Sequence, residues 1–277
     1  MNRSRTMNLA GRVAVVTGAA GGIGHAIAHA LARRGCHLAL ADIDVEALET
    51  SATGLGAAAP VLRVTQHALD VADRAAVAAL PAAVLAAHGR VDLLVNNAGV
   101  ALGGLFEQVS EADFDWLLEI NFHGLVRMTR AFLPLLRASD DACIVNLSSL
   151  YGLISPPGQT AYSASKFAVR GFSNALRHEL AGSTIGVTVA HPGGVATAIA
   201  RRARIAEGIP TEEVQAHMAR AEKMLRMRPE KAAEIIVRAV ERRRARVLVG
   251  MDAKVISLLE RLAPVGYWRV LARAVGL

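Results

Sequence analysis

Cysteine is scarce in this sequence. Cys36 and Cys143 are the only two in 277 residues, both lie in apolar segments, and neither has metal-ligating company. That pattern excludes a disulfide framework and fits a reducing compartment, so a cytoplasmic location is expected. Long hydrophobic runs are missing too. No stretch of about 18 uncharged apolar residues occurs, and no membrane span is expected. The first eight residues are polar and basic and lead into no apolar region, unlike an export signal. No repeat, linker or composition break marks a second unit, so residues 1–277 read as a single domain. Metal-ligand clusters are lacking as well. His25 and His29 share a helix face without a third ligand, and no metal is expected. Lysine is the last shortage: among 31 basic side chains only four are lysine, and Lys166 stands alone before Lys223.

Apolar residues make up 53% of the chain and charged residues 20%, a balance that builds a globular core and argues against disorder. The net charge of +7 is uneven: residues 198–277 hold 17 basic and 9 acidic side chains, and the first 197 residues are nearly balanced. In an Arg-rich chain this reads as solvated helical surface, with the basic run 241–246 at a helix end where cations suit the dipole. No nucleic-acid partner is expected.

Apolar tracts alternate with helical patterns along the first two thirds. Strands are expected at 11–17, 37–41, 61–66, 91–95, 144–147 and 185–190. The first is wholly apolar at Val13, Ala14, Val15 and Val16, as a strand covered on both faces is. Helices are expected at 23–34, 45–51, 74–87, 111–136 and 160–180. Pro81 should kink or break the third of them, and Pro134 should bend or end the fourth. Repeated units of this length mean an α/β fold with a doubly wound parallel sheet. After Thr197 the pattern changes. Residues 198–227 are polar, basic and helical in character. A helix at 230–243, a strand at 247–249, and short amphipathic helices at 255–262 and 267–274 follow.

Tyr162 and Lys166 lie four apart near the start of the 160–180 helix and so share a face. An ammonium near a phenol favours the phenolate and lowers the tyrosine pKa, which fits the tyrosine for general acid/base work. Spacing alone leaves an ordinary surface pair equally open. The rarity of lysine weighs against that, because in this composition arginine would supply any cation whose shape did not matter. Ser149 closes the apolar run 143–147, where a strand's carboxyl end and the next helix can bring a hydroxyl and a tyrosine together.

Gly18, Gly22 and Gly24 sit between the first strand and its helix, where backbone N–H groups can approach a pyrophosphate at a helix N-terminus. Their spacing departs from G-x-G-x-x-G. Asp42 ends the second strand, placed to accept from a ribose 2′-hydroxyl and to repel a 2′-phosphate. Gly21 and Ile43 put no basic side chain beside it, so NAD is expected and NADP is disfavoured.

Taken in order, Thr17-Gly18 with Gly22-Ile23-Gly24, Asp70, Asn96-Asn97-Ala98-Gly99, Asn121, Ser149, Tyr162 with Lys166, and Pro192-Gly193 resemble the short-chain dehydrogenase/reductase (SDR) family over roughly residues 9–197. The resemblance implies a single-domain, Rossmann-like oxidoreductase. It implies Tyr162 as catalytic acid/base, and Ser149 as the group that positions and polarises the substrate oxygen. Lys166 would lower the Tyr162 pKa and hold the nicotinamide ribose, and Asn121 would organise a water relay to Lys166. It further implies that Gly18, Gly22, Ile23, Gly24, Asp42, Asp70, Val71, Asn97, Gly99, Pro192, Gly193, Val195 and Thr197 line the dinucleotide site.

The family's substrate loop would fall in residues 198–228, which would act as a lid. Leu102, Leu150, Tyr151 and Leu153 are candidate pocket walls, with Tyr151 beside Ser149 and Tyr162 at the substrate. They are mostly apolar, so the expected substrate is a hydrophobic secondary alcohol or ketone; Arg201, Arg202 and Arg204 leave an acidic one open. Shorter members end soon after the last strand, and the 251–277 extension departs from them. It could cover a pocket, join a homodimer or homotetramer, or rest on a membrane surface. Two rival readings are a dinucleotide-binding redox sensor without turnover, against which the complete Ser149, Tyr162 and Lys166 set argues, and a membrane-associated scaffold built on the basic tail.

Overall fold

The computed structural model describes residues 6–59 and 61–275. The first five residues, part of the segment read above as lacking an export signal, and the last two of the extension lie outside the described residues. In chain order the elements are β1 (Val13–Thr17), α1 (Gly22–Ala32), β2 (His37–Asp42), α2 (Val45–Ala58), β3 (Val64–Ala68), α3 (Arg74–His88), β4 (Leu93–Asn96), β5 (Leu102–Gly103), α4 (Glu111–Leu118), a π-helical turn (Glu119–Gly124), α5 (Leu125–Ala138) and β6 (Ala142–Leu147). Then come a 3₁₀ turn (Leu150–Gly152), α6 (Thr160–Glu179), β7 (Ile185–Pro192), β8 (Arg204–Ile205), α7 (Thr211–Met224), α8 (Pro229–Glu241), β9 (Arg246–Val249), α9 (Met251–Leu262) and α10 (Tyr267–Val275).

Seven strands form one parallel sheet in the order β3-β2-β1-β4-β6-β7-β9. Side chains of a strand alternate between faces, and here each face has its own core. Ala14, Val16, Leu38, Leu40, Leu93 and Val95 pack with α1, α2 and α8 on one side. Val15, Ala39, Ala41, Leu94 and Ile144 pack with α3, α5 and the end of α6 on the other. This explains why the strands read as continuous apolar runs rather than alternating ones. The sheet order reverses between β1 and β4, and open α/β sheets bind ligands outside the carboxyl ends of the strands at such a point.

Several boundaries differ from expectation. α2 continues past Ser51 to Ala58, and β3 begins at Val64 rather than 61. α3 runs unbroken through Pro81, because Val77, Leu80 and Val84 on either side of it are locked into the core. α5 passes Pro134 and ends at Ala138. The helix expected over 111–136 is interrupted by the π-helical turn at Glu119–Gly124. Residues 198–227 are only partly helical. β8 within them pairs with β5, a two-residue parallel contact that no periodicity announced. Among the described residues no helix is long and apolar enough to cross a membrane, and no group of three or more His, Cys, Asp or Glu could hold a metal ion.

Candidate active site

β6 delivers Ser149 to the carboxyl edge of the sheet. Ser149 is extended, and its Oγ accepts from Tyr151 N (3.1 Å), which starts the 3₁₀ turn. That turn lies flat on α6. A Cβ on Gly152 would run into Ser148 Oγ and the Lys166 carbonyl, and Ser148 Oγ donates to the same carbonyl (2.9 Å). α6 therefore brings Tyr162 opposite Ser149, whose hydroxyl is close enough to act on the phenol. The Tyr151 ring meets the Tyr162 ring edge-on, with centroids 6.0 Å apart.

One turn along α6, Lys166 is buried, and its Nζ donates to Leu147 O (3.1 Å) while lying 5.6 Å from the Tyr162 ring centroid. Burial dominates both groups and opposes ionisation of each. It pushes the Tyr162 phenol up to about 12, with the Ser149 hydroxyl acting the other way, and it pushes the Lys166 ammonium down to about 8. Desolvation is therefore the largest influence on the Tyr162 phenol.

The π-helical turn presents Asn121, also buried. Its amide pairs with the backbone of Val100, Oδ1 accepting from Val100 N (2.8 Å) and Nδ2 donating to Val100 O (2.9 Å). Nδ2 also reaches Ser165 Oγ (3.3 Å). Asn121 so holds the segment after β4 against α6. Gly99 is the shared wall: a Cβ there would sit 3.0 Å from Asn121 Oδ1 and 3.5 Å from Lys166 Nζ.

Across the switch point lies the glycine turn. Gly18 and Gly22 have positive φ (64° and 56°), and a Cβ on Gly24 would run into the Gly18 carbonyl. Asn97 Nδ2 closes the turn by donating to Thr17 O and Gly18 O, both at 3.0 Å. Ile23 is part-buried against the core. α1 begins after Gly21 with no side chain capping it, so its first N–H groups face outward without a side-chain partner. Thr197 lies over Gly22, its Cγ2 3.2 Å from where a Cβ would stand. Asp42 accepts from Ala20 N (2.9 Å) and Asp44 N (3.1 Å). A cation does come near after all: exposed Arg202 reaches Asp44 at 3.8 Å. Asp70 is exposed and turns back on Ala72 N (2.8 Å), whereas Val71 is buried against Gly124. Pro192 ends β7, Gly193 N donates to Val249 O (3.0 Å), and Val195 is buried and bridges to Met227.

Of the candidate walls, Leu102 and Leu153 are core residues, with Leu102 clustering beside Leu117, Ala161, Trp116 and Tyr162. The three lid arginines all have partners: Arg201 with Glu222 (3.4 Å), Arg202 with Asp44, and Arg204 with Asp113 (3.0 Å) and the Trp116 face (3.6 Å). No fixed cation is left beside Tyr162 other than Lys166 among the described residues. Two further residues shape the site. His191, fully buried, approaches Ser149 O through Nδ1 (3.0 Å) and braces the serine, with burial pushing its pKa down to about 4. Asp252 accepts from Gly194 N (2.6 Å) across 58 residues of sequence, and no local signal marks it. A cavity of about 450 Å³ opens beside Gly22, His25, His29, Thr197 and Arg201, and none of the residues around Tyr162 lines it.

Comparison with known proteins agrees with this arrangement. A family model described as short chain dehydrogenase matches residues 12–208. SadH of Mycobacterium tuberculosis (strain ATCC 25618 / H37Rv) is 44% identical over 271 residues, 96% of this chain and 95% of that protein. A crystal structure of a short-chain dehydrogenase/reductase from Burkholderia phymatum in complex with NAD superposes with a TM-score of 0.86 at 33% identity, covering 93% of this chain and 95% of that one. A metagenomic short-chain oxidoreductase in complex with NADP superposes with a TM-score of 0.70 at 32% identity, covering 88% and 98%.

Proposed function

The chain belongs to the short-chain dehydrogenase family of oxidoreductases, and from that premise we propose that it transfers hydride between NAD and a hydrophobic secondary alcohol or ketone, with Tyr162 as acid/base. One observation carries the chemistry: a half-buried tyrosine facing Ser149, with Lys166 one turn away, at the carboxyl edge of the sheet. The nicotinamide dinucleotide would supply the hydride acceptor or donor. The residues present suit it, since Gly18 and Gly22 give the turn a left-handed backbone, Gly24 lets it pack closely on itself, and α1 offers N–H groups without a side-chain cap. Gly18, Gly22, Ile23, Gly24, Gly99, Val195 and Thr197 would hold its phosphates and nicotinamide side, with Pro192 and Gly193 shaping that loop. Asp42, Asp70, Val71 and Asn97 would hold the adenosine side, and the Asp42 carboxylate supports NAD over NADP.

Tyr162 is protonated at neutral pH, which suits it to give a proton to the oxygen of a ketone. Ser149 donates to that same oxygen as charge develops on it. In the oxidative direction Tyr162 must first ionise, and Lys166 is the cation close enough to favour this. Asn121 keeps the Val100 segment and α6 in register around Lys166. The pairing of Arg201, Arg202 and Arg204 supports an apolar rather than an acidic substrate, with Tyr151 lining the site. The same reading takes the chain as one domain, acting in the cytoplasm as a homodimer or homotetramer.

The test is nicotinamide absorbance with NAD and NADP side by side across aliphatic, aromatic and steroid alcohols and their ketones. Turnover is expected with NAD, and Tyr162→Phe is expected to lower kcat by about a thousandfold. Preference for NADP would overturn the reading of Asp42. Tight NADH binding without turnover on any pair would overturn the catalytic one.

A further inference from the structure

The C-terminal segment 251–275 touches the loop that leaves β7 and the stretch that leads into α6. α9 begins beside the loop that leaves β7. Asp252, in its first turn, accepts from Gly194 N at 2.6 Å, and a Cβ on Gly193 would run into both of its carboxylate oxygens. The opposite side of the same loop is closed by the lid. Gly194 O accepts from Arg226 N (3.1 Å) and Met227 N (2.9 Å), and a Cβ on Gly194 would run into the Met224 carbonyl at the end of α7. Gly194 is thus pinned by its N–H to α9 and by its C=O to the end of the lid. Three residues on, Thr197 lies over Gly22. Further along, α9 packs on the Leu150–Gly152 turn, and at the start of α10 the Tyr267 hydroxyl accepts from Ser155 N (3.0 Å).

We propose that this segment is a brace over the site, in which Asp252 is a positioning residue for dinucleotide affinity and Tyr267 one for substrate affinity. The inference rests on the dehydrogenase reading for its ligand and on the two hydrogen bonds for its residues. A carboxylate accepting from a backbone N–H makes a charge-assisted bond, stronger than a neutral one. It fixes the height of residues 193–197 over the glycine turn before any ligand arrives. Neither residue reaches Ser149 or Lys166, so the effect falls on binding rather than on chemistry.

The test uses the full chain and three variants, Asp252→Ala, Asp252→Asn and Tyr267→Phe, each checked first for an unchanged melting temperature. NADH affinity is read by fluorescence, KM and kcat by absorbance, and loop order by hydrogen exchange of residues 193–199 without ligand. Asp252→Ala is expected to weaken NADH about tenfold and to speed exchange of 193–199, with the change in KM for the dinucleotide exceeding that in kcat. Asp252→Asn, whose amide oxygen still accepts, is expected to restore most of both. Tyr267→Phe is expected to raise KM for the alcohol and leave NADH affinity alone. Unchanged exchange in Asp252→Ala, or no recovery in Asp252→Asn, overturns the proposal. Failure of the unsubstituted chain to bind NADH would overturn the dehydrogenase reading instead, and the exchange measurement would still decide the brace.

Discussion

Lys166 carries a cost that shows at neutral pH. Its folded pKa of about 8 lies below the ordinary 10.5 because burial penalises the ammonium. The unfolded chain therefore binds the proton more tightly, so stability contributed by this group rises with pH between about 8 and 10.5. The difference amounts to about 3 kcal/mol lost below pH 8. Lys166→Met keeps the length and removes the charge. Leaving Leu147 O without its donor takes back about 1 kcal/mol, so a net gain of about 2 kcal/mol at pH 7 is expected. Thermal unfolding checks this: the variant should melt higher than the parent at pH 7, the gap should close by pH 10, and turnover should be lost. Tyr162 acts in the opposite sense, since its pKa is raised to about 12 and stability from it falls above pH 10. A residue that destabilises the fold and is kept in a lysine-poor chain is kept for what it does.

Elements decide which of these residues could be read in advance. β1, α1 and β2 were legible because wholly buried strands and a glycine turn leave strong patterns. Ser149, Tyr162 and Lys166 were legible because a strand end and one helical turn fix their placement. The π-helical turn was not, because one extra residue in a helical ladder leaves no trace in a 3.6-residue period, yet it is what aims Asn121 inward. β8 and the ordered lid were not, because two residues of strand carry no periodicity. Pro81 misled because tertiary packing on both sides outweighs one missing N–H. The π-helical turn yields a prediction at this scale. Gly124 packs on Val71, and a Cβ there would lie 2.8 Å from Val71 Cγ2 and 3.0 Å from its Cβ. Gly124→Ala is expected to cost about 2 kcal/mol through overpacking. With Val71 on the adenosine side as proposed above, the substitution should also weaken NADH several-fold. Calorimetry and NADH fluorescence check the two effects together, and a stability loss with unchanged affinity would detach Val71 from the cofactor.

At the scale of the whole molecule the sheet has one end whose neighbours are incomplete. β9 is the last strand, and among the described residues nothing pairs with its outer edge. Beside it α9 exposes Met251, Val255, Leu258 and Leu262, spaced by four, three and four residues so that they form one stripe, and Val265 continues beyond it. An open strand edge next to an apolar stripe is a combination that folded chains cover. A two-fold axis alongside β9 would bury both at once in a second copy, which fits the homodimer or homotetramer proposed above. Lys254 and Arg261 flank the stripe, which keeps an anionic lipid surface as the competing occupant. Leu258→Glu puts a charge in the middle of the stripe. Light scattering is expected to show the variant at a smaller assembly than the parent at equal concentration, and neither protein is expected to pellet with anionic vesicles. An unchanged mass together with vesicle binding lost only in the variant would assign the stripe to lipid. The Asp252 contact with Gly194 lies about a quarter turn round the helix from the stripe, so Leu258→Glu should leave NADH affinity where it was.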